Sequence, residues 1–166
     1  MRTRAIAAFG LVLGAAAAAA VLAQGGLEDS TASAAPVEVL GETVDATTIR
    51  LGQEIYAETC ATCHGANLEG QPDWKRRLEN GRMPAPPHDV TGHTWHHADQ
   101  DLFTITRDGL GAIVPGYESD MPVFGDTLSD EEIRAVLAYI KSTWPERERE
   151  FQAEVTRNKT LDEDGS

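Results

Sequence analysis

Cysteine is almost missing from this chain: there are two in 166 residues. That scarcity excludes a disulfide-rich scaffold and a four-cysteine zinc site. Positive charge is also scarce, with 14 Lys and Arg against 27 Asp and Glu, a formal net charge of −13. So little basic surface argues against nucleic-acid binding, which requires phosphates to be neutralised. No internal repeat is present. Apolar material is sufficient for a core at 41% of residues, which weighs against a wholly disordered chain. The length suits one domain with tails and falls short of two comfortable cores.

Composition divides the chain into four parts. Residues 1–23 open with Arg2 and Arg4 and continue as an uncharged run from 5 to 23. This is the layout of a signal peptide with small residues at Val21-Leu22-Ala23, and the run is also long enough to serve as an N-terminal membrane anchor. Either reading places the rest of the protein outside the cytoplasm. Cleavage after Ala23 removes two of the 14 basic residues and no acid, so the charge becomes −15. Residues 24–46 are rich in Gly, Ser, Thr, Ala and acids without a sustained period, and read as a flexible linker. The folded domain is expected over 47–144. Residues 145–166 form a charged C-terminal extension, a short helix followed by a disordered tail.

The two cysteines are not scattered. Cys60-Ala61-Thr62-Cys63-His64 is C-x-x-C-H, the attachment signature of haem c. Residues three apart on a helical turn share a face, so both thiols reach one porphyrin while His64 projects its imidazole at the iron. A thioredoxin-like site requires a preceding strand, but residues 47–59 read as helix. A zinc site requires two further ligands, and only the distant His93, His96 and His97 are offered. A structural disulfide leaves His64 without a role.

The flanking helices follow from pattern. Leu51, Ile55 and Thr59 recur at helical spacing, with Thr47 or Thr48 as the expected cap. Gly52 inside that helix costs about 1 kcal/mol relative to Ala, which implies the close approach of a second helix. Ser129-Asp130-Glu131-Glu132 is a capping box, followed by an apolar stripe at Ile133, Val136, Leu137 and Ile140. Lys141 lies in the last turn, Trp144-Pro145 ends the helix, and Tyr139 is expected against Gly52. Between the two helices, a turn-rich loop carries Met121-Pro122-Val123-Phe124-Gly125. A His-ligated iron in an electron carrier takes Met on its other face. With Met1 as initiator, Met83 and Met121 remain, and the Pro-stiffened loop favours Met121 as the distal ligand.

These residues resemble the class I mono-haem cytochromes c over about 100 positions, from Gly52 through Cys60-Ala-Thr-Cys-His64-Gly65 to Met121-Pro-Val-Phe-Gly125 and the capped last helix. The resemblance implies an all-α cytochrome c fold, with terminal helices crossing and shorter helices and loops around one covalently bound haem. It implies His64 and Met121 as proximal and distal iron ligands, and a bacterial single-electron carrier facing the periplasm. It further implies a proline carbonyl that accepts the other ring N–H of the proximal His, for which Pro86 is the candidate.

Residues 71–97 depart from the minimal pattern. His88, His93, His96 and His97 are imidazoles suited to copper or zinc, although no acid or thiol completes a recognisable set. Packing of Trp95 and one histidine near the haem edge is the expected arrangement. Lys75, Arg76, Arg77 and Arg82 form the basic cluster of an acidic chain, either paired with its own acids or marking a docking site. The resulting expectation is outer-sphere electron transfer to a redox partner with a basic docking patch. A haem subunit or binder of peroxide or gas, with a labile sixth ligand, is the alternative.

Overall fold

The computed structural model describes residues 36–165, so the expected signal or anchor at 1–23 lies outside the described residues. Folding begins earlier than composition suggests. Val37 and Val39 alternate with polar residues, and strands β1 (Glu38–Val39) and β2 (Glu42–Thr43) pair antiparallel. Leu40 and Gly41 between them both have positive φ, 53° and 81°, the conformation of the tight primed hairpin turn. Val37 and Val39 are buried with Leu102, Ile133, Leu137 and Ala138. The linker assignment for 24–46 is thereby corrected over 36–45, because two apolar side chains suffice to dock a hairpin too short to show a period.

Helix α1 (Ala46–Ile55) is capped by Asp45, whose carboxylate accepts from the Thr48 N–H at 2.7 Å. The expected threonine cap is displaced by one better acceptor just upstream. Beyond Ile55 the chain makes a single π-helical turn (Tyr56–Cys60), with the Ala61 N–H bonded to Tyr56 O, and then the short helix α2 (Ala61–His64). Of the spaced apolar residues Ile55 is buried and Leu51 is 43% exposed.

Helix α3 (Asp99–Asp108) and helix α4 (Asp130–Ser142) complete the framework. The capping box of α4 is fully formed: Ser129 Oγ accepts from the Glu132 N–H at 3.2 Å, and Glu132 Oε2 accepts from the Ser129 N–H at 2.8 Å. Its stripe of Ile133, Val136, Leu137 and Ile140 is buried. Helices α1 and α4 cross at Gly52, where an added Cβ would lie 2.9 Å from Val136 N and closer still to the Ala135 carbonyl. The partner of Gly52 is therefore helix backbone. Tyr139, expected there, packs instead on Tyr56 with ring centroids 5.4 Å apart.

Helix α5 (Glu146–Asp164) runs to the position where a disordered tail is expected. It is held through Gln152, fully buried, whose amide donates to His97 O at 3.1 Å and Asp99 Oδ1 at 2.7 Å. Asp99 Oδ1 also receives Lys141 Nζ at 2.6 Å, and Asp99 Oδ2 accepts from the Leu40 N–H at 2.9 Å. One buried carboxylate thus joins hairpin, α3, α4 and α5. Lys141 serves this ion pair as well as the end of its helix. Among the described residues no helix is long and apolar enough to cross a membrane.

Candidate functional site

The site is built where α1 runs into α2. The π turn ending at Cys60 admits one extra residue into the helix, a device frequent at functional positions. Cys60 and Cys63 are free thiols, the first half-buried and the second exposed. Burial, reinforced by Cys63, pushes the Cys60 thiol up to about 11. A redox-active C-x-x-C depends on a thiol lowered in pKa, so this environment opposes a thioredoxin-like reading.

His64 ends α2 and is 7% exposed. Its Nδ1 lies 2.9 Å from the Pro86 carbonyl oxygen. A carbonyl only accepts, so Nδ1 carries the hydrogen and Nε2 keeps its lone pair. Burial holds the imidazole below its usual pKa against the opposing pull of that hydrogen bond. A neutral ring with a free Nε2, beside two thiols that are not in a disulfide, is a donor set that fits an iron porphyrin attached through its edge.

The turn after His64 is shaped by its backbone. Gly65 (φ 82°) caps α2, its carbonyl accepts from Tyr56 Oη at 2.9 Å, and the Gly70 N–H donates to His64 O at 2.7 Å. Leu68 is left-handed (φ 67°) although it is not glycine, a strained conformation that pattern reading misses. Its carbonyl accepts from the His88 N–H at 2.8 Å, which brings the segment carrying Pro86 beside α2. Two glycines make room for that segment: a Cβ on Gly70 would lie 2.5 Å from Pro87 N, and one on Gly92 2.7 Å from Pro87 C. His88 then stacks on His64 with ring centroids 4.0 Å apart. Burial first, then His64 and His93, push His88 well below its usual pKa, so it too is neutral.

Met121 is half-buried on the loop before α4, with its N–H donating to Ser119 Oγ at 3.1 Å. The Phe124 and Gly125 N–H groups bond to Thr106 O at 3.1 Å and Arg107 O at 2.9 Å, fastening the loop to the last turn of α3. Gly125 permits this, since a Cβ there would meet Arg107 O at 2.9 Å. Arg82 pairs with Asp120, the residue before Met121, and lies 3.8 Å from Glu118. Met83 is also half-buried.

The remaining candidates are dispersed. His93 stacks on Trp74 at 5.3 Å and sits edge-on to His97, while His96 lies over Trp95 at 3.7 Å. Trp95 leans on Phe151 of α5. Among the described residues no group of three or more His, Cys, Asp or Glu is arranged to hold a metal ion. Within the basic cluster, Arg77 donates to Gly81 O at 2.7 Å and lies over the Tyr117 ring, and Lys75 lies over Trp74.

Comparison with known proteins assigns the chain to a family. Residues 47–140 match the family described as cytochrome C oxidase, cbb3-type, subunit III. The chain is 29% identical over 109 residues to the Cbb3-type cytochrome c oxidase subunit CcoP of Rhodobacter capsulatus, covering 64% of this chain and 33% of that protein. It is 29% identical over 96 residues to the subunit of the same name from Azospirillum brasilense, covering 58% of this chain and 28% of the relative. The chain thus spans about a third of the length of the curated relatives it matches. No solved structure gives a significant match. With its all-α frame and C-x-x-C-H turn, the chain belongs to the cytochrome c domain family of cbb3-type oxidase subunit III.

Proposed function

We propose that this chain is an exported single-electron carrier with one haem c, attached through Cys60 and Cys63 and ligated by His64 and Met121. The observation that carries the proposal is the state of His64. It is buried and neutral, its Nδ1–H is engaged by Pro86 O, and its Nε2 is free beside two available thiols. When bound, the haem supplies reversible one-electron chemistry at iron.

The chain's own residues supply the rest. Cys60 and Cys63 would hold the ring covalently, so that a small domain could retain it without enclosing it fully. Pro86 keeps the His64 tautomer and raises the basicity of Nε2. Met121 offers a thioether, which favours the reduced state and raises the potential. Ile113, Val114 and Val123 bring exposed apolar surface to the same stretch of chain, as a porphyrin face requires. With haem bound, His64 and Met121 would hold the iron, and the chemistry supplied would be one-electron transfer with no substrate bond made or broken.

The two cysteines suffice for one doubly attached haem. The acidic surface favours a redox partner with a basic patch, and the relatives named as oxidase subunits favour a cytochrome c oxidase of the cbb3 type as that partner. The basic start and uncharged run at 1–23 support a periplasmic location, free or tethered to the inner membrane. The test is a reductive titration of the purified holoprotein, followed by carbon monoxide. The proposal expects one electron per haem, one haem per chain and no carbon monoxide adduct of the ferrous protein. Prompt adduct formation assigns the chain to ligand binding instead.

A further inference from the structure

We propose that His88 is a positioning residue for His64, which fixes the plane of the axial imidazole by stacking on its face. This rests on the reading of His64 as an iron ligand. A hydrogen bond from Nδ1 to Pro86 O at 2.9 Å holds one edge of the His64 ring, yet leaves the ring able to rock about the line to its acceptor. The His88 ring closes that freedom on one side, at 4.0 Å between centroids and 21° between planes.

A side chain stacked in this way positions another only if it is itself held. The His88 N–H donates to Leu68 O at 2.8 Å, and its carbonyl accepts from Trp144 Nε1 at 2.7 Å. Rotation of the ring is fixed by Thr94: His88 Nδ1 lies 2.8 Å from Thr94 Oγ1, and that hydroxyl lies 3.4 Å from Pro87 O. The carbonyl takes the single hydroxyl hydrogen, so His88 donates from Nδ1 to the buried Thr94 oxygen. Tyr56 stands edge-on to the ring, at 6.4 Å between centroids. Pro86, Pro87 and His88 therefore act as one stiff unit, with the Pro86 carbonyl gripping the edge of His64 and the His88 ring gripping its face. An aliphatic residue at 88 would fill space, but only a ring with a donor on its far side has its own plane locked by Thr94.

The plane of an axial imidazole sets the asymmetry of the ferric iron's orbitals, and the spread and order of the haem methyl proton shifts report it. The experiment records those shifts on ferric holoprotein with attachment verified by intact mass, for wild type, His88→Ala, His88→Phe and Thr94→Val. The proposal expects His88→Ala to change the order or spread of the methyl shifts. His88→Phe, which keeps a stacked ring but has no donor for Thr94, is expected to return only part of the change, and Thr94→Val to move the shifts in the same direction as His88→Ala by a smaller amount. Wild-type shifts in His88→Ala overturn it, even if that variant melts at a lower temperature. If His88→Ala does not mature, Thr94→Val decides, and an unchanged pattern there overturns the proposal. Failure of the underlying reading is distinguishable: the wild-type protein itself would carry no haem by mass, or show no low-spin hyperfine-shifted methyls.

Discussion

Replacing Gly52 by alanine tests the crossing on which the site is mounted. The new Cβ would lie 2.9 Å from Val136 N and within the radius of the Ala135 carbonyl oxygen. Both neighbours are helix backbone, so no side-chain rotation relieves the overlap, and α1 and α4 must move apart. Overpacking of this kind costs typically 1–3 kcal/mol, and rigid backbone places this case at the upper end. Alanine returns about 1 kcal/mol of helix propensity. The net expectation is a loss of about 2 kcal/mol, which lowers the melting temperature by roughly 5–15 °C in a domain of this size. Thermal unfolding of the holoprotein by circular dichroism reads this directly. Gly111→Ala is the control, because its Cβ would meet nothing nearer than Tyr117 O at 3.8 Å, and a change within about 0.5 kcal/mol is expected. A Gly52→Ala protein as stable as wild type, or more so, would refute the reasoning.

Three further outcomes are expected. Lys141→Met strands Asp99 in the core without its cation and should cost about 3–5 kcal/mol in chemical denaturation; a loss under about 1 kcal/mol would remove the buried pair from the account. Glu132→Gln tests the capping box by pH. The Ser129 backbone N–H, then its hydroxyl, lower the Glu132 pKa below the usual 4.5, so its charge stabilises fully above that value and the contribution disappears as pH falls through the lowered pKa. The melting-temperature gap between wild type and Glu132→Gln should therefore be open near neutrality and close in acid; a gap independent of pH would contradict it. Reduction by a basic partner should slow as ionic strength rises, since a chain of net charge −13 is steered by a field that salt screens; stopped-flow rates flat in salt would dismiss this steering.

Much of the site was legible because its signals are local. C-x-x-C-H groups two thiols and an imidazole by spacing alone, and the capping box located the start of α4 to the residue, while the helix ends at Ser142, two residues short of Trp144. Gly52 announced a helix crossing, although the partner is the Ala135 backbone and not the Tyr139 ring. What remained hidden depends on contacts distant in sequence or on backbone conformation. Nothing in Tyr56–Cys60 signals a π turn, and Leu68 is an unexpected residue for a left-handed position. The docking of Val37 and Val39, and the meeting of Asp99, Lys141 and Gln152, arise from tertiary packing between separate elements. His88 read as one of four possible metal ligands, whereas its ring lies on His64 and its nitrogen on Thr94.

The ferric absorption spectrum tests the central claim most directly. Thioether ligation gives a sulfur-to-iron charge-transfer band. The account predicts this band in wild type and in Met83→Ala, and its loss in Met121→Ala. A band that survives Met121→Ala, or that is absent from the wild-type protein, would contradict it.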